Sequence, residues 1–276
     1  MKKILVATDF SGNSKAGIRF AIQLASQAPF ELVFFNVNEV SSINAWTDLN
    51  YSDFKSAENA QLKEKLRKFV AGVYRTARKQ GGKLECVIDN SADTDSAMIA
   101  YAQKINADFI CIGTRGGGTV RKLLGSNASK LITTSPIPLF VVPQTYHSKW
   151  LDSILYASDM ENIAPELKVV SQFSLPLAAD IKVFHYDYFL EDNGVMGKLD
   201  AAAAAHRSPS VSFHFRKLVP EYPLLSLLER DIRLSKPSLV VMFTKQDRSW
   251  FERLFLSSKT AELGFGTKIP LLVFRK

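Results

Sequence analysis

The sequence predicts an α/β protein made of two copies of one domain, each with a mainly parallel sheet covered on both faces by helices. Short runs of Val, Ile, Leu and Phe alternate with stretches of helical periodicity along the 276 residues. The strand runs are almost continuously apolar, as is typical of strands buried on both faces. The same series of segments also occurs twice.

In the first copy, five apolar runs predict strands at 3–8, 31–37, 83–89, 108–113 and 138–142. Apolar residues at helical spacing predict the intervening helices at about 13–28, 52–80, 94–105 and 126–134. Residues 38–51 are left as a long loop. A loop of this length in an α/β unit is either functional or a surface excursion.

The repeat predicts the division of the chain. Four segments of the first half have counterparts in the second: 4–10 with 154–160, 32–37 with 181–186, 109–113 with 239–243, and 138–142 with 270–274. We therefore expect domains at 1–145 and 150–276, with a boundary near Gln144 to Lys149. In the second copy, polar residues alternate with Val211, Phe213 and Phe215, which predicts an edge strand with one solvated face.

Composition limits the class of protein. A 46% apolar and 22% charged chain is typical of a globular protein, and no apolar run approaches the length of a membrane span. The first nine residues do not resemble a signal peptide, and both cysteines lie in apolar runs, so we expect a cytoplasmic protein with buried thiols. The net charge is +8, and the predicted helix at 52–80 has a basic face. No nucleic-acid motif accompanies that face, so we interpret it as a solvated helix face and not as a nucleic-acid site.

A glycine-rich loop is the strongest functional signal. Gly113 to Gly118 follow the fourth apolar strand, and Gly125-Ser126 precede a predicted helix. Free backbone N–H groups and a helix N-terminus together favour an anion, most naturally a phosphate. The loop fits neither a Walker A motif, because Gly118 is followed by Thr119-Val120, nor a dinucleotide fingerprint, which follows the first strand.

Three segments are expected to meet at the carboxyl ends of the strands, where ligands bind in open parallel sheets. They are Ala7 to Asp9 after the first strand, Val37-Asn38 after the second, and the glycine loop. Asp9 could accept hydrogen bonds from a ribose or hold the loop, and the Val37 backbone could meet an adenine edge. Alternatively, Asp9 is only a turn or helix-start residue.

Three motifs together resemble the universal stress protein family. They are Lys3 to Ser11 at the start, Gly113-Thr-Arg-Gly116 with Gly125-Ser126, and Thr134 to Pro143. The resemblance covers 1–143 strongly and 151–276 weakly. It implies a tandem protein of two Rossmann-like domains, each a five-stranded sheet of order 3-2-1-4-5.

The resemblance also implies a ligand, namely ATP or another adenine nucleotide, with or without Mg²⁺. The positions it assigns to nucleotide binding are Asp9, Val37, Ile112, Gly113, Gly116, Gly125 and Ser126. Ala7, Arg115 and Asn127 complete the expected site, with Arg115 either neutralising phosphate charge or lying on a solvated loop. One spacing departs from the family pattern, because eight residues rather than nine separate Gly116 from Gly125. The shortened loop either absorbs the change through Gly117 and Gly118 or loses its phosphate-binding shape.

The second copy lacks the glycines, because Phe243 to Gln246 and Leu256 to Ser258 occupy their places. We expect no nucleotide there. Neither copy shows a catalytic set or metal-ligand spacing, so we expect no enzyme beyond slow ATP hydrolysis and no metal site of the protein's own.

The family implies a stress-response role through sensing or protein interaction, and the alternative is a scaffold that binds no nucleotide. We expect an intramolecular pseudo-dimer through the last strands, 138–142 and 270–274. A homodimer or a separate protein partner stays open, whereas membrane and nucleic acid are not expected.

Overall fold

A computed structural model of the chain describes residues 1–38, 48–79, 82–114, 126–188, 197, 210–219, 224–244 and 268–276. The elements of the first half are β1 (Lys2–Ala7), α1 (Gly12–Ala25), β2 (Phe30–Val37), α2 (Asp48–Thr76), β3 (Glu85–Asp89), α3 (Thr94–Lys104), β4 (Phe109–Thr114), α4 (Ser126–Thr134) and β5 (Leu139–Pro143). Those of the second half are β6 (Ser153–Ser158), α5 (Ile163–Ser174) with a 3₁₀ turn (Leu175–Leu177), β7 (Asp180–Asp187), β8 (Val211–Lys217), α6 (Leu224–Ser235), β9 (Leu239–Thr244) and β10 (Leu271–Arg275).

The ten strands form one sheet in the order β3-β2-β1-β4-β5-β10-β9-β6-β7-β8. Each half therefore has the order 3-2-1-4-5, and every pairing within a half is parallel. The predicted fold class and strand order are confirmed, and β8 is an edge strand as expected. The predicted loop 38–51 extends too far, because helix α2 already begins at Asp48. Residues 39–47 of that loop lie outside the described residues.

The two halves join through their last strands, β5 and β10, as predicted, and these strands pair antiparallel. The Ile110 N–H donates to the Pro138 carbonyl, so the even-numbered residues of β5 direct their backbone groups to β4. The odd-numbered residues Leu139 and Val141 therefore carry the hydrogen bonds to β10, opposite Val273 and Leu271.

Aromatic packing continues across this seam. Phe173 of α5 enters the first half, where its ring centroid lies 5.7 Å from that of Phe109 and 5.9 Å from that of Phe140. Gln27 adds polar contacts, because its side chain accepts from the Leu151 N–H at 2.9 Å and donates to the Leu151 carbonyl at 3.3 Å. The halves thus share one apolar core on this face of the sheet.

The repeat extends to single backbone angles. Phe10 and Met160, at equivalent positions after β1 and β6, both have positive φ, 61° and 62°. The preceding aspartates, Asp9 and Asp159, each accept a hydrogen bond from the N–H two residues on, at 2.9 and 3.0 Å. Two matching strand–turn–helix corners therefore stand at the carboxyl ends of β1 and β6.

Both cysteines are free and buried, as predicted, and burial raises the pKa of the Cys111 thiol. Among the helices that the structure describes, none is both long and apolar enough to cross a bilayer.

Candidate functional site

The strand order creates a crevice at the carboxyl ends of β1 and β4. The chain leaves β1 towards β2 and β3, then crosses to β4 on the other side of β1, so the connections diverge between these two strands. Val6 pairs with Cys111, which puts Ala7 and Ile112 at the same level where the crevice begins. Ala7 offers only a methyl group and Ile112 is buried, so this end of the crevice is apolar.

Asp9 stands at the mouth of this crevice. Its carboxylate accepts the Ser11 N–H at 2.9 Å, and the Ser11 hydroxyl accepts the Ser14 N–H at 3.3 Å as the cap of α1. Burial alone would raise the pKa of Asp9, but the hydrogen bonds from Ser11 outweigh it and hold the pKa below its usual value. Asp9 is therefore the turn residue that the alternative interpretation proposed, and it is also an exposed anion.

Gly113 at the end of β4 is a packing glycine. A Cβ added there would lie 2.2 Å from the carbonyl oxygen of Asn13 and 3.0 Å from the Cα of Ser14. Gly17 faces the same strand, and a Cβ there would lie 3.0 Å from the Gly113 nitrogen. Helix α1 approaches β4 this closely only because both positions lack a side chain.

The β2 side of the crevice carries amide side chains that the sequence did not single out as a set. The Asn38 N–H donates to the Asp89 carbonyl at 2.7 Å, which continues the β2–β3 ladder past Val37. The Asn38 side chain contacts that of Asn90 at 3.4 Å, and Asn90 contacts Asn59 of α2 at 2.9 Å.

Helix α4, whose first turn was predicted to receive the phosphates, is tied to α3. Lys130 lies 3.3 Å from a carboxylate oxygen of Asp93 and 3.3 Å from one of Asp95. Asp93 also caps α3 through the N–H groups of Asp95 and Ser96. These contacts fix α4 relative to the rest of the first half.

The predicted site residues fall into three groups. The structure brings Ala7, Asp9, Val37, Ile112 and Gly113 to the carboxyl edge of the sheet. Ser126 and Asn127 form the start of α4, where only the backbone is described. Arg115, Gly116 and Gly125 lie outside the described residues, so their placement stays a prediction.

The corresponding crevice of the second half is filled. Phe243 replaces Gly113, and its ring stacks on Phe274 at 4.9 Å and meets Tyr156 edge-on at 5.6 Å. Residues 256–258, the other bulky replacement, lie outside the described residues. In the first half the α1 backbone thus lies against Gly113, whereas in the second half an aromatic ring stands at the equivalent position.

A buried ion cluster completes this closure. Lys276 Nζ lies 2.8 and 2.6 Å from the two carboxylate oxygens of Asp159 and 3.1 Å from Oε1 of Glu166. The Tyr156 hydroxyl donates to the other Glu166 oxygen. Asp159 is the main partner of this lysine.

Lys276 belongs to no motif, so the sequence analysis missed it, but its position in the repeat can be identified. The Lys276 N–H donates to Thr244 as the Gln144 N–H donates to Thr114, so the two residues are repeat equivalents. Burial alone would lower the pKa of Lys276, but the two carboxylates outweigh it and raise the pKa above 10.5. The second half therefore carries its own cation at the place where the first half has an exposed amide.

Comparison with known families decides the identity. The family model described as "Universal stress protein family" matches residues 1–143. The chain belongs to the universal stress protein family. No curated protein matches this universal stress protein at a significant level.

Solved structures resemble the whole chain of this universal stress protein. A universal stress protein from Archaeoglobus fulgidus is 16% identical, with 99% of this chain and 98% of that chain covered and a TM-score of 0.63. A functionally unknown protein from Pseudomonas aeruginosa is 14% identical, with 100% and 92% covered and a TM-score of 0.60. The cytoplasmic domain of a prokaryotic cation chloride cotransporter is 9% identical, with 99% and 94% covered and a TM-score of 0.52. At these identities the likeness concerns the fold.

Proposed function

We propose that the first half of this universal stress protein binds an adenine nucleotide, with ATP as the leading candidate, in the crevice between β1 and β4. The protein then acts in a stress response by nucleotide sensing or by contact with a protein partner. The observation that carries the proposal is the contrast between the halves. In the second half Lys276 covers Asp159 in a buried ion pair, whereas in the first half the equivalent residues, Gln144 and Asp9, are both exposed and leave the Asp9 carboxylate open at the crevice.

The described residues suit the parts of a nucleotide. Ala7 and Ile112 supply an apolar surface for a base, next to the backbone of Val37. The Asp9 carboxylate, held as an anion at the mouth, is an acceptor for ribose hydroxyls. The N-terminus of α4 is a phosphate site on general electrostatic grounds, with Arg115, Gly116 and Gly125 assigned to it from the sequence motif.

Catalysis is no part of the proposal. Among the described residues, no group of three or more His, Cys, Asp and Glu side chains could hold a metal ion. We therefore propose that any Mg²⁺ arrives with the phosphates of the nucleotide. Turnover, where it occurs, would rely on positioned charge alone and would be slow.

A scaffold without nucleotide is the second candidate, and one observation favours it. The close approach of α1 to β4 already requires glycine at 113, because an added Cβ would lie 2.2 Å from the Asn13 oxygen. The first glycine of the motif is thus explained by packing, whether or not phosphate binds. Variants of the motif residues outside the described part of the chain must therefore distinguish the two candidate functions.

The test combines two measurements on the full chain. Mass spectrometry of the small molecules released on denaturation should detect ATP or a related nucleotide. Calorimetric titration with ATP should then give one site per chain, lost in Gly116→Val and weakened in Asp9→Ala. The control is Gln246→Val, the repeat equivalent of Gly116→Val, which should bind normally.

The outcomes separate the candidates. An empty extract together with no heat of ATP binding would favour the scaffold. Two equivalent sites per chain, or unchanged affinity in Gly116→Val, would contradict the assignment to the first crevice.

A further inference from the structure

A second cavity lies beside the seam, outside the nucleotide crevice. It is a cleft of about 440 Å³ between the segment that follows β5, the end of α6, and the starts of β9 and β10. That volume lies within the range of about 300–1,000 Å³ typical of small-molecule sites. Ile232, Pro237 and Pro270 contribute apolar surface to its wall.

The rim of the cleft is cationic. Five basic side chains line it: His147, Lys149, Arg233, Lys236 and Lys268. No acidic side chain is among the described residues that line it. The Lys149 ammonium donates to the Lys236 carbonyl at 2.9 Å, which holds one positive charge at the rim.

The fold does not require basic residues at the positions of Arg233, Lys236 and Lys268. The repeat aligns Lys236 with Asn106, since both have positive φ, 46° and 50°, at the end of equivalent helices. In the same alignment of the two repeats, Gln103 is equivalent to Arg233, and Pro136 is equivalent to Lys268. The first half adopts the same strand order with uncharged residues at all three positions.

A helix C-terminus favours cations and accounts for part of this charge, namely Arg233 and Lys236 at the end of α6. It does not account for Lys268, which precedes β10, or for Lys149, which follows β5. Cations from three separate segments thus surround one apolar cleft. Such convergence is what binding of an organic anion requires.

We propose that this cleft binds a small organic anion, an apolar or aromatic body that carries a phosphate or carboxylate group. The apolar wall accepts the body, and Arg233, Lys236 and Lys268 neutralise the charge. Arg233 can bind the anionic group through two N–H donors, whereas the lysines act as point charges. The inference is independent of the proposed nucleotide site.

The test uses 1-anilinonaphthalene-8-sulfonate as an anionic aromatic probe and N-phenyl-1-naphthylamine as its uncharged analogue. Fluorescence titration of the full chain should give a Kd of about 10–100 µM for the anion and at least about tenfold weaker binding of the neutral analogue. The cleft variant is Arg233→Gln, Lys236→Asn, Lys268→Gln. It should lose about tenfold or more in affinity for the anion.

The replacements in the cleft variant are chosen to keep the fold. The first two are the residues that the first half has at the equivalent positions. Glutamine is used at 268 because the equivalent residue, Pro136, would remove a backbone N–H and restrict the chain before β10. Circular dichroism of the cleft variant should match that of the natural chain.

The control variant is Lys63→Gln, Lys83→Gln, Lys168→Gln, which removes the same charge from exposed positions elsewhere. It should bind the anion as the natural chain does. Equal anion affinity in the cleft variant, or equal affinity for the neutral probe, would show adsorption to apolar surface and overturn the proposal.

A further titration in Gly116→Val separates the two sites. Unchanged anion binding in that variant supports the cleft whether or not nucleotide binds, and loss of anion binding would place the probe in the crevice and overturn the proposal.

Discussion

The ammonium nitrogen of Lys276 lies 2.6 Å from a carboxylate oxygen of Asp159, within a crevice that the first half leaves without such a pair. The side chain of Lys276 is 9% exposed, and that of Glu166, its second partner, is 6% exposed. Removal of a cation from such a place leaves buried negative charge without compensation. The last residue of the chain is therefore part of the core of the second half.

Lys276→Met should destabilise the protein by about 3 kcal/mol, because Asp159 and Glu166 lose their shared partner. Urea unfolding at pH 7 measures this. Gln144→Met at the equivalent exposed position is the control and should change stability by less than about 0.5 kcal/mol. Equal effects of the two variants would contradict a structural role for the ion cluster.

The same pair predicts a pH dependence. The folded-state pKa of Lys276 is raised above 10.5, so the stabilisation is complete below pH 10.5 and is lost as the pH rises through the raised pKa. The difference in stability between the natural chain and Lys276→Met should shrink once the pH passes 10.5. A difference that stays constant as the pH rises through the raised pKa of Lys276 would contradict this assignment.

Gly113→Ala should destabilise the fold by roughly 2 kcal/mol, because the new Cβ would meet the Asn13 backbone at 2.2 Å and α1 must move away from β4. Gly72→Ala is the control, since a Cβ there meets nothing within 4 Å and the site lies inside α2. It should stabilise the protein by about 0.5–1 kcal/mol. Thermal unfolding that ranks the two variants in the opposite order would refute the packing role of Gly113.

Phe173→Ala should cost about 3–5 kcal/mol, because it empties a site between Phe109 and Phe140 across the seam. Leu175→Ala, at an 81% exposed position two residues on, should cost less than about 0.5 kcal/mol. In the natural chain, circular dichroism and tryptophan fluorescence should report one coincident unfolding transition. Two separate transitions would show that the halves unfold independently in spite of the shared core.

Val141→Pro should weaken the seam, because the Val141 N–H faces β10 and proline removes that donor. We expect at least about 3 kcal/mol of destabilisation and faster hydrogen exchange at the Leu271 and Val273 amides. Val141→Ala keeps the donor and is the control, with a smaller loss from reduced burial. Exchange at Val273 that is equally fast in both variants would argue against the donor as the cause.

ATP turnover should be slow, below about 0.1 per second against a typical enzyme value of about 10 per second. The reason is that sequence and described structure offer no general base or paired carboxylates beside Asp9. Steady-state phosphate release with and without Mg²⁺ measures this. A rate near the typical enzyme value would revive an enzymatic function.

The elements were predictable from the sequence because the strands are buried on both faces and their apolar runs are continuous. Both Phe109–Thr114 and its counterpart Leu239–Thr244 were located by that signal. The error at α2 concerns its start: residues 48–51, Asp-Leu-Asn-Tyr, are too few to show a helical period of their own, so the helix was predicted to begin at 52. The strand order came from the family resemblance and not from the periodicity.

The site was less predictable. Asp9 and Gly113 were found through the motif, but the reason for Gly113 is its approach to the Asn13 backbone, which no spacing reveals. Lys276 was missed because a lysine at the end of a chain carries no motif. Only the register of β10 against β9 shows that it enters the second crevice.

The seam between β5 and β10 has a consequence for how such a protein can evolve. In a dimer of identical chains, a change from glycine to phenylalanine at the end of the fourth strand would appear in both subunits at once. Covalent linkage of the copies removes that constraint, because one gene then encodes two positions that mutate separately. The second half can therefore acquire a phenylalanine and a buried lysine that the first half lacks, while it keeps the strand that its neighbour needs.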